Sequence, residues 1–182
     1  MAVDARSRLQ QAALELFASD GFEAVTAAQI AARAGVTERT FFRHFPDKRE
    51  VLFDGQNALL AALKAGLADA PRSDSELAAL FHAFRSVVPL LEANRPFSEP
   101  RQRIIAANPA LQEREAAKLT VLVDAMTEAL KPRSHSELRA RLAATTGIAA
   151  FAMATTAWLE DGEPGLLTRI NESEDELRLL LR

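Results

Sequence analysis

The sequence predicts an all-α protein: a three-helix helix-turn-helix head joined by a long fourth helix to a C-terminal helical bundle, about nine helices in all. Three observations carry this expectation. Leucine and alanine dominate, and apolar residues recur at spacings of three and four, the period of one helix face. No alternating apolar–polar run of useful strand length occurs. Capping residues and glycine or proline stops punctuate the chain at helical intervals.

The first helix is expected from about Asp4 to Ser19, with Leu9, Ala13, Leu16 and Phe17 on one stripe and Gly21 as its left-handed stop. In "TAAQ", Thr26 and Gln29 form a capping box, each side chain satisfying the other end's orphan amide. They open a second helix of about 27 to 34 that ends at Gly35. Thr37 caps a third, about 38 to 44, and Pro46 stops it because proline lacks a donor and disfavours helical geometry in the residue before it. Asp47 and Glu50 form a second box, predicting a long fourth helix to about Asp69. The segment "ADAPRSDSE" is the clearest break, with Ser73 and Glu76 as a third box. Further helices are expected near 74 to 93, 99 to 107, 109 to 130 (capped by Asn108), 136 to 160 and 164 to 181, the last carrying Leu166, Leu177 and Leu181. The domain plan is a head over 1–50 and a helical body over 51–182.

Composition narrows the function. The chain of 182 residues has no cysteine, so disulfides and thiolate metal sites are excluded, in keeping with a reducing cytoplasm. No N-terminal apolar targeting segment and no uninterrupted apolar run of membrane length is found, so no membrane partner is expected and the protein is read as cytoplasmic. The three histidines (44, 82, 135) lie in different segments, with no Gly-rich phosphate loop and no His-x-x-x-His pair. No catalytic residue, metal ligand or cofactor is therefore expected.

The net charge of −3 argues weakly against a nucleic-acid partner, but its distribution does not. Up to Glu50, acids (4, 15, 20, 23, 38, 47, 50) and bases (6, 8, 33, 39, 43, 48, 49) balance, and four of the bases fall between 39 and 49. The stretch "GVTERTFFRHFPDKREVLF" interleaves those bases with phenylalanines. At 100° per residue, Phe41 and Phe45 share the inner face of the third helix, Arg39, Thr40 and Arg43 point away from them, and Phe42 and His44 stand at the edges. Those outward types reach base edges and phosphates in a major groove. Lys48 and Arg49 would sit in the first turn of the fourth helix, where the dipole disfavours cations by roughly 0.3–1 kcal/mol each, a cost that makes sense if a phosphate binds there.

Two short helices joined at Gly35, with Ala31 small at the crossing, form a helix-turn-helix. Residues about 5 to 52, above all "LFASDGFEAVTAAQIAARAGVTERTFFRHFPDKREVLF", resemble the DNA-binding domain of the TetR family of transcriptional repressors. The resemblance implies a homodimer that binds a palindromic operator in duplex DNA and is released by a small-molecule effector. It implies that Thr26 and Ala27 approach the DNA backbone, that Thr37, Glu38, Arg39, Thr40, Phe42, Arg43 and His44 enter the major groove, and that Lys48 meets a phosphate. Phe42 departs from the family's usual tyrosine, which removes a hydroxyl contact of roughly 1 kcal/mol.

In the body, "LAATTGIAAFAMATTAW" offers small residues to a close helix neighbour, either within the chain or across a dimer. The resemblance places the dimer interface on this helix and the last, with Gly147, Ala150, Phe151, Ala154, Trp158 and Leu177 as candidates. Candidate effector-pocket residues are Phe81, Leu122, Met126 and Met153 as apolar lining and His82, Arg85 and Arg103 as polar groups, although such apolar residues at helical spacing also suit a simple core. The competing function is a helical protein–protein interaction module without sequence-specific DNA binding.

Overall fold

The computed structural model describes residues 4–180, in which every regular element is helical. The α-helices are α1 (Ala5–Asp20), α2 (Ala27–Arg33), α3 (Glu38–His44), α4 (Gln56–Asp69), α5 (Glu76–Ser86), α6 (Val88–Ala93), α7 (Arg95–Ala106), α8 (Pro109–Leu130), α9 (Glu137–Asp161) and α10 (Leu166–Leu180), with a 3₁₀ turn at Lys131–Arg133. The count exceeds the expected nine because the helix expected over 74–93 divides at Val87, where Pro89 in the first turn of α6 cannot continue the ladder of α5. Leu181, expected on the last helix, lies outside the described residues.

The caps that open α2, α3 and α8 are those the sequence predicts. Thr26 and Gln29 bond each other's backbone amides at 3.2 and 2.8 Å. Thr37 Oγ1 accepts from Thr40 N at 3.2 Å, and Asn108 Oδ1 accepts from Leu111 N at 3.3 Å. Two predicted boxes are corrected. Ser75, not Ser73, caps α5, which leaves Glu76 free to accept from Ser134 and Arg139, each at 2.9 Å.

The fourth helix is the larger correction, since residues 47–55 form successive turns and α4 begins only at Gln56. The Asp47 carboxylate accepts from Arg49 N (2.7 Å) and Glu50 N (3.2 Å), closing a turn rather than opening a helix. Val51, Leu52 and Phe53 show why: all three are buried, whereas consecutive side chains on a helix fan over about 200° and cannot all face one core. The carbonyl of Leu52 is satisfied instead by Arg101 Nε at 2.5 Å, and Gly55 (φ 96°) makes the exit into α4.

The chain forms two compact units. The head unit holds the residues up to Gly55 together with Pro96–Glu115. Its core gathers Leu9, Ala13 and Phe17 of α1, Ile30 and Ala31 of α2, and Phe41 and Phe45, closed by Ile104, Ile105 and Leu111. The body unit holds Gln56–Arg95 and the chain from Ala116, with α5 at its centre against α4, α9 and α10.

Within the body, α9 turns its small residues inward. Gly147, Ala150, Phe151, Ala154 and Trp158 are buried inside the single chain, and the Phe151 ring stacks on Phe84 at 4.5 Å. A side-chain carbon on Gly147 would stand 3.0 Å from Leu80 Cδ1, so the glycine lets α5 approach. These residues are therefore already committed to the core of the single chain, and Leu177 packs against the same core. By length and composition α9, with 25 residues, is apolar enough to cross a membrane, but its inward face is committed to this core.

Candidate nucleic-acid interface

The helix-turn-helix consists of α2, the turn at Gly35 and α3. Gly35 adopts φ 67°, a conformation that L side chains rarely take, and Val36 N closes the turn on Ala31 O at 2.9 Å. Phe41 and Phe45 are buried, and Phe41 meets Phe42 edge-on with centroids 5.3 Å apart. A rigid aromatic base thus leaves the opposite side of α3 free.

That side carries Glu38, Arg39 and Arg43, all exposed, with Thr40 half-buried beside them. Phe42 is 51% exposed, a large ring turned to solvent on a surface that is otherwise polar. Thr37 and Thr40 share a hydroxyl–hydroxyl bond at 3.0 Å. Thr26 is exposed and Ala27 half-buried at the start of α2. His44 is half-buried, and its Nε2 is buried with no hydrogen-bond partner, so that nitrogen reaches a phosphate only if the side chain turns. The structure therefore brings Thr26, Ala27 and the outward residues of α3 onto the surface of one motif.

Lys48 does not behave as a free phosphate ligand. Its ammonium donates to the carbonyls of Phe22 (2.7 Å), Glu23 (3.2 Å) and Val25 (2.9 Å), which uses all three of its protons. It also lies 4.4 Å from the centroid of the Phe22 ring. Lys48 thus ties the segment after α3 to the loop between α1 and α2. Arg49 pairs with Asp47 at 2.9 Å. Burial alone would raise the Asp47 carboxyl, but the donors from Arg49 and Glu50 hold it below its usual range. With no helix at 47–50, neither cation opposes a dipole, and the argument for a phosphate bound at Lys48 and Arg49 loses its premise.

Side chains at the opening of α1 reach the turn before α3 and the residue after it. The Asp4 carboxyl is held below its usual range first by the Ser7 amide and more weakly by His44, and the Arg6 guanidinium lies 5.2 Å from the Phe45 ring centroid. Two residues on, Arg8 Nη1 sits 3.7 Å from where a side-chain carbon on Gly35 would stand. Arg8 was not among the sequence candidates, because nothing in its local sequence separates it from any other exposed helical arginine.

The effector-pocket candidates do not converge. Phe81 and Met126 are fully buried core residues and Leu122 is nearly so. Arg85 is bound to Glu174 at 2.7 Å, and His82 is half-buried. Arg103 belongs to the head unit, paired with Glu99 at 2.5 Å, while Met153 is 73% exposed. A groove of about 310 Å³ instead lies between α8 and α9, lined by Leu119, Val123, Ile148, Ala149 and Ala152, with Arg141 at its side.

A helix-turn-helix on a buried aromatic base, with arginines exposed on its second helix, is the arrangement with which helical DNA-binding proteins enter the major groove. Residues 9–54 match the model of the bacterial regulatory proteins of the tetR family. The transcriptional regulator TcmR of Streptomyces glaucescens is 42% identical over 83 residues, which cover 46% of this chain and 37% of that protein; the chain thus spans well under half the length of this curated relative. The TetR-family repressor FadR of Thermus thermophilus, solved with lauroyl-CoA, is 27% identical, with 97% of this chain and 93% of that one covered and a TM-score of 0.62. The regulator FadR of Bacillus subtilis, solved with stearoyl-CoA, shares the fold at 17% identity, with 93% and 95% covered and a TM-score of 0.64. Over residues 9–54 the chain thus carries a segment that matches the tetR-family regulators, and over the rest it shares their all-helical fold.

Proposed function

We propose that this protein is a cytoplasmic transcriptional regulator, without enzymatic activity, that binds a palindromic DNA operator as a homodimer and releases it on binding a small-molecule effector. The observation that carries the reading is the division of α3: Phe41 and Phe45 anchor the helix while Arg39, Thr40 and Arg43 are left outward. Arginine meets guanine O6 and N7, threonine a range of base edges, and Glu38 can accept from cytosine N4. Thr26, Ala27 and Thr37 approach the phosphates beside them. Selection of bound fragments from genomic DNA tests the reading. Recovery of an inverted repeat is expected, with half-sites one helical turn apart or a multiple; recovery of no enriched sequence would favour an interaction module instead.

For the dimer, α9 presents Leu138, Leu142, Ala149 and Met153 on one outward stripe, opposite its buried face. Large exposed apolar residues on α10 (Leu167, Leu179) extend the apolar surface. A charge placed at Met153 should convert dimer to monomer in a sedimentation experiment; an unchanged mass would move the interface elsewhere.

The effector we infer is amphiphilic. The Thermus relative was solved with an acyl-CoA, and the groove between α8 and α9 is apolar, with Arg141 at its side in an ion pair with Asp124 at 2.7 Å that a charged head group would have to open. Calorimetry with lauroyl-CoA and with highly charged nucleotides separates the classes: heat from the nucleotides alone would rule out the amphiphile.

A further inference from the structure

The head unit sorts its cations into two groups. Arg33 is bound to Glu15 at 2.7 Å, and Lys48 and Arg49 are occupied as described. Arg6 pairs with Asp54 at 2.5 Å, Arg101 with Glu115 at 2.9 Å, Arg103 with Glu99 and Arg114 with Glu50 at 2.6 Å. Among the described residues of this unit, Arg8, Arg39 and Arg43 alone of the lysines and arginines have neither a carboxylate nor a hydrogen-bond acceptor.

The position of Arg8 gives this meaning. The start of α1 reaches both ends of the segment that holds α3, with Arg6 over Phe45 just after the recognition helix and Arg8 beside Gly35 in the turn three residues before its first residue. A helix seated in a major groove about 12 Å wide has a phosphate strand along each side. A guanidinium beside the leading end of that helix faces such a strand. A paired cation would first have to give up its carboxylate, whereas Arg8 is exposed and has none to give up.

We propose that Arg8 is a DNA phosphate ligand, and that Arg8, Arg39 and Arg43, rather than Lys48 and Arg49, carry the electrostatic contact of this head with duplex DNA. The inference rests on the DNA-binding reading above and adds a residue on α1, outside the helix-turn-helix. Arg8 sets register and affinity without reading a base.

The test measures affinity against salt for a duplex recovered by the wild-type protein from a random-sequence pool. Each neutralised phosphate contributes about 0.9 to the slope of log affinity on log salt. Arg8→Ala should lower the slope by about 0.9, so that over a fourfold rise in salt it loses about 3.5-fold less affinity than the wild type. It should do so equally on selected and scrambled duplexes, and Arg8→Lys should restore the slope. Lys48→Met should leave the slope unchanged even where it weakens binding through the fold. An unaltered slope in Arg8→Ala, with wild-type binding intact, overturns the assignment of Arg8. A slope lowered by Lys48→Met overturns the division between the two groups of cations. Failure of the wild-type protein to enrich any duplex overturns the DNA-binding reading itself.

Discussion

The side chains of α3 divide between a buried face that holds the helix and an outward face that we propose reads DNA, and the division can be tested one residue at a time. Arg43 is exposed and has no partner to restrain it. Arg43→Ala should weaken binding by roughly 1–3 kcal/mol at one operator position and relax base preference there. Profiling of bound sequences checks this, and equal weakening on all sequences would assign Arg43 to the backbone. Phe42 is half-exposed with its ring edge on Phe41, so a hydroxyl at its tip adds a donor without disturbing the core. Phe42→Tyr should tighten operator binding by about 1 kcal/mol, roughly fivefold, if it reaches a phosphate; titration by fluorescence anisotropy measures the change.

Among the elements, the crossing of α4 and α5 is set by one missing side chain. A carbon on Gly66 would meet Ser86 Oγ at 2.2 Å and the Ala83 Cα at 3.0 Å. In an open helix Gly→Ala gains up to about 1 kcal/mol from propensity. Here the second obstacle is backbone, so overpacking of about 1–3 kcal/mol outweighs that gain. Gly66→Ala should therefore lower stability in urea denaturation; a rise in the midpoint would show that α5 can move away. The turns at 47–55 follow the same logic of neighbours over local preference: Asp47 and Glu50 have the spacing of a capping box, but burial of Val51, Leu52 and Phe53 selects turns.

Over the whole molecule, stability should depend on pH through Glu76, which is buried in the body at the start of α5. Its burial acts to raise the carboxyl, but hydrogen bonds from its own backbone amide, Ser134 and Arg139 outweigh it and hold the group below its usual range. A depressed folded value contributes stability in full above the unfolded value of about 4.3, and loses it as pH falls through the folded value. The wild-type melting temperature should accordingly fall below about pH 4.3 more steeply than that of Glu76→Gln. Parallel curves would show that Glu76 is not a source of acid sensitivity.

The sequence by itself determined the all-α class, the caps of α2, α3 and α8, and the inward phenylalanines and outward arginines of α3. These follow from helical period and short-range hydrogen bonds, which act within about four residues and are written locally. Only the tertiary structure decided that α4 starts at Gln56, that Lys48 bonds three carbonyls more than twenty residues earlier, that Gly147 and its neighbours face α5, and that Arg8 lies against Gly35. Each of these depends on a partner far away in sequence, and the choice among distant partners is made by burial and charge pairing in the packed fold. The helical period shows which way a side chain points, and the packed chain decides what meets it there.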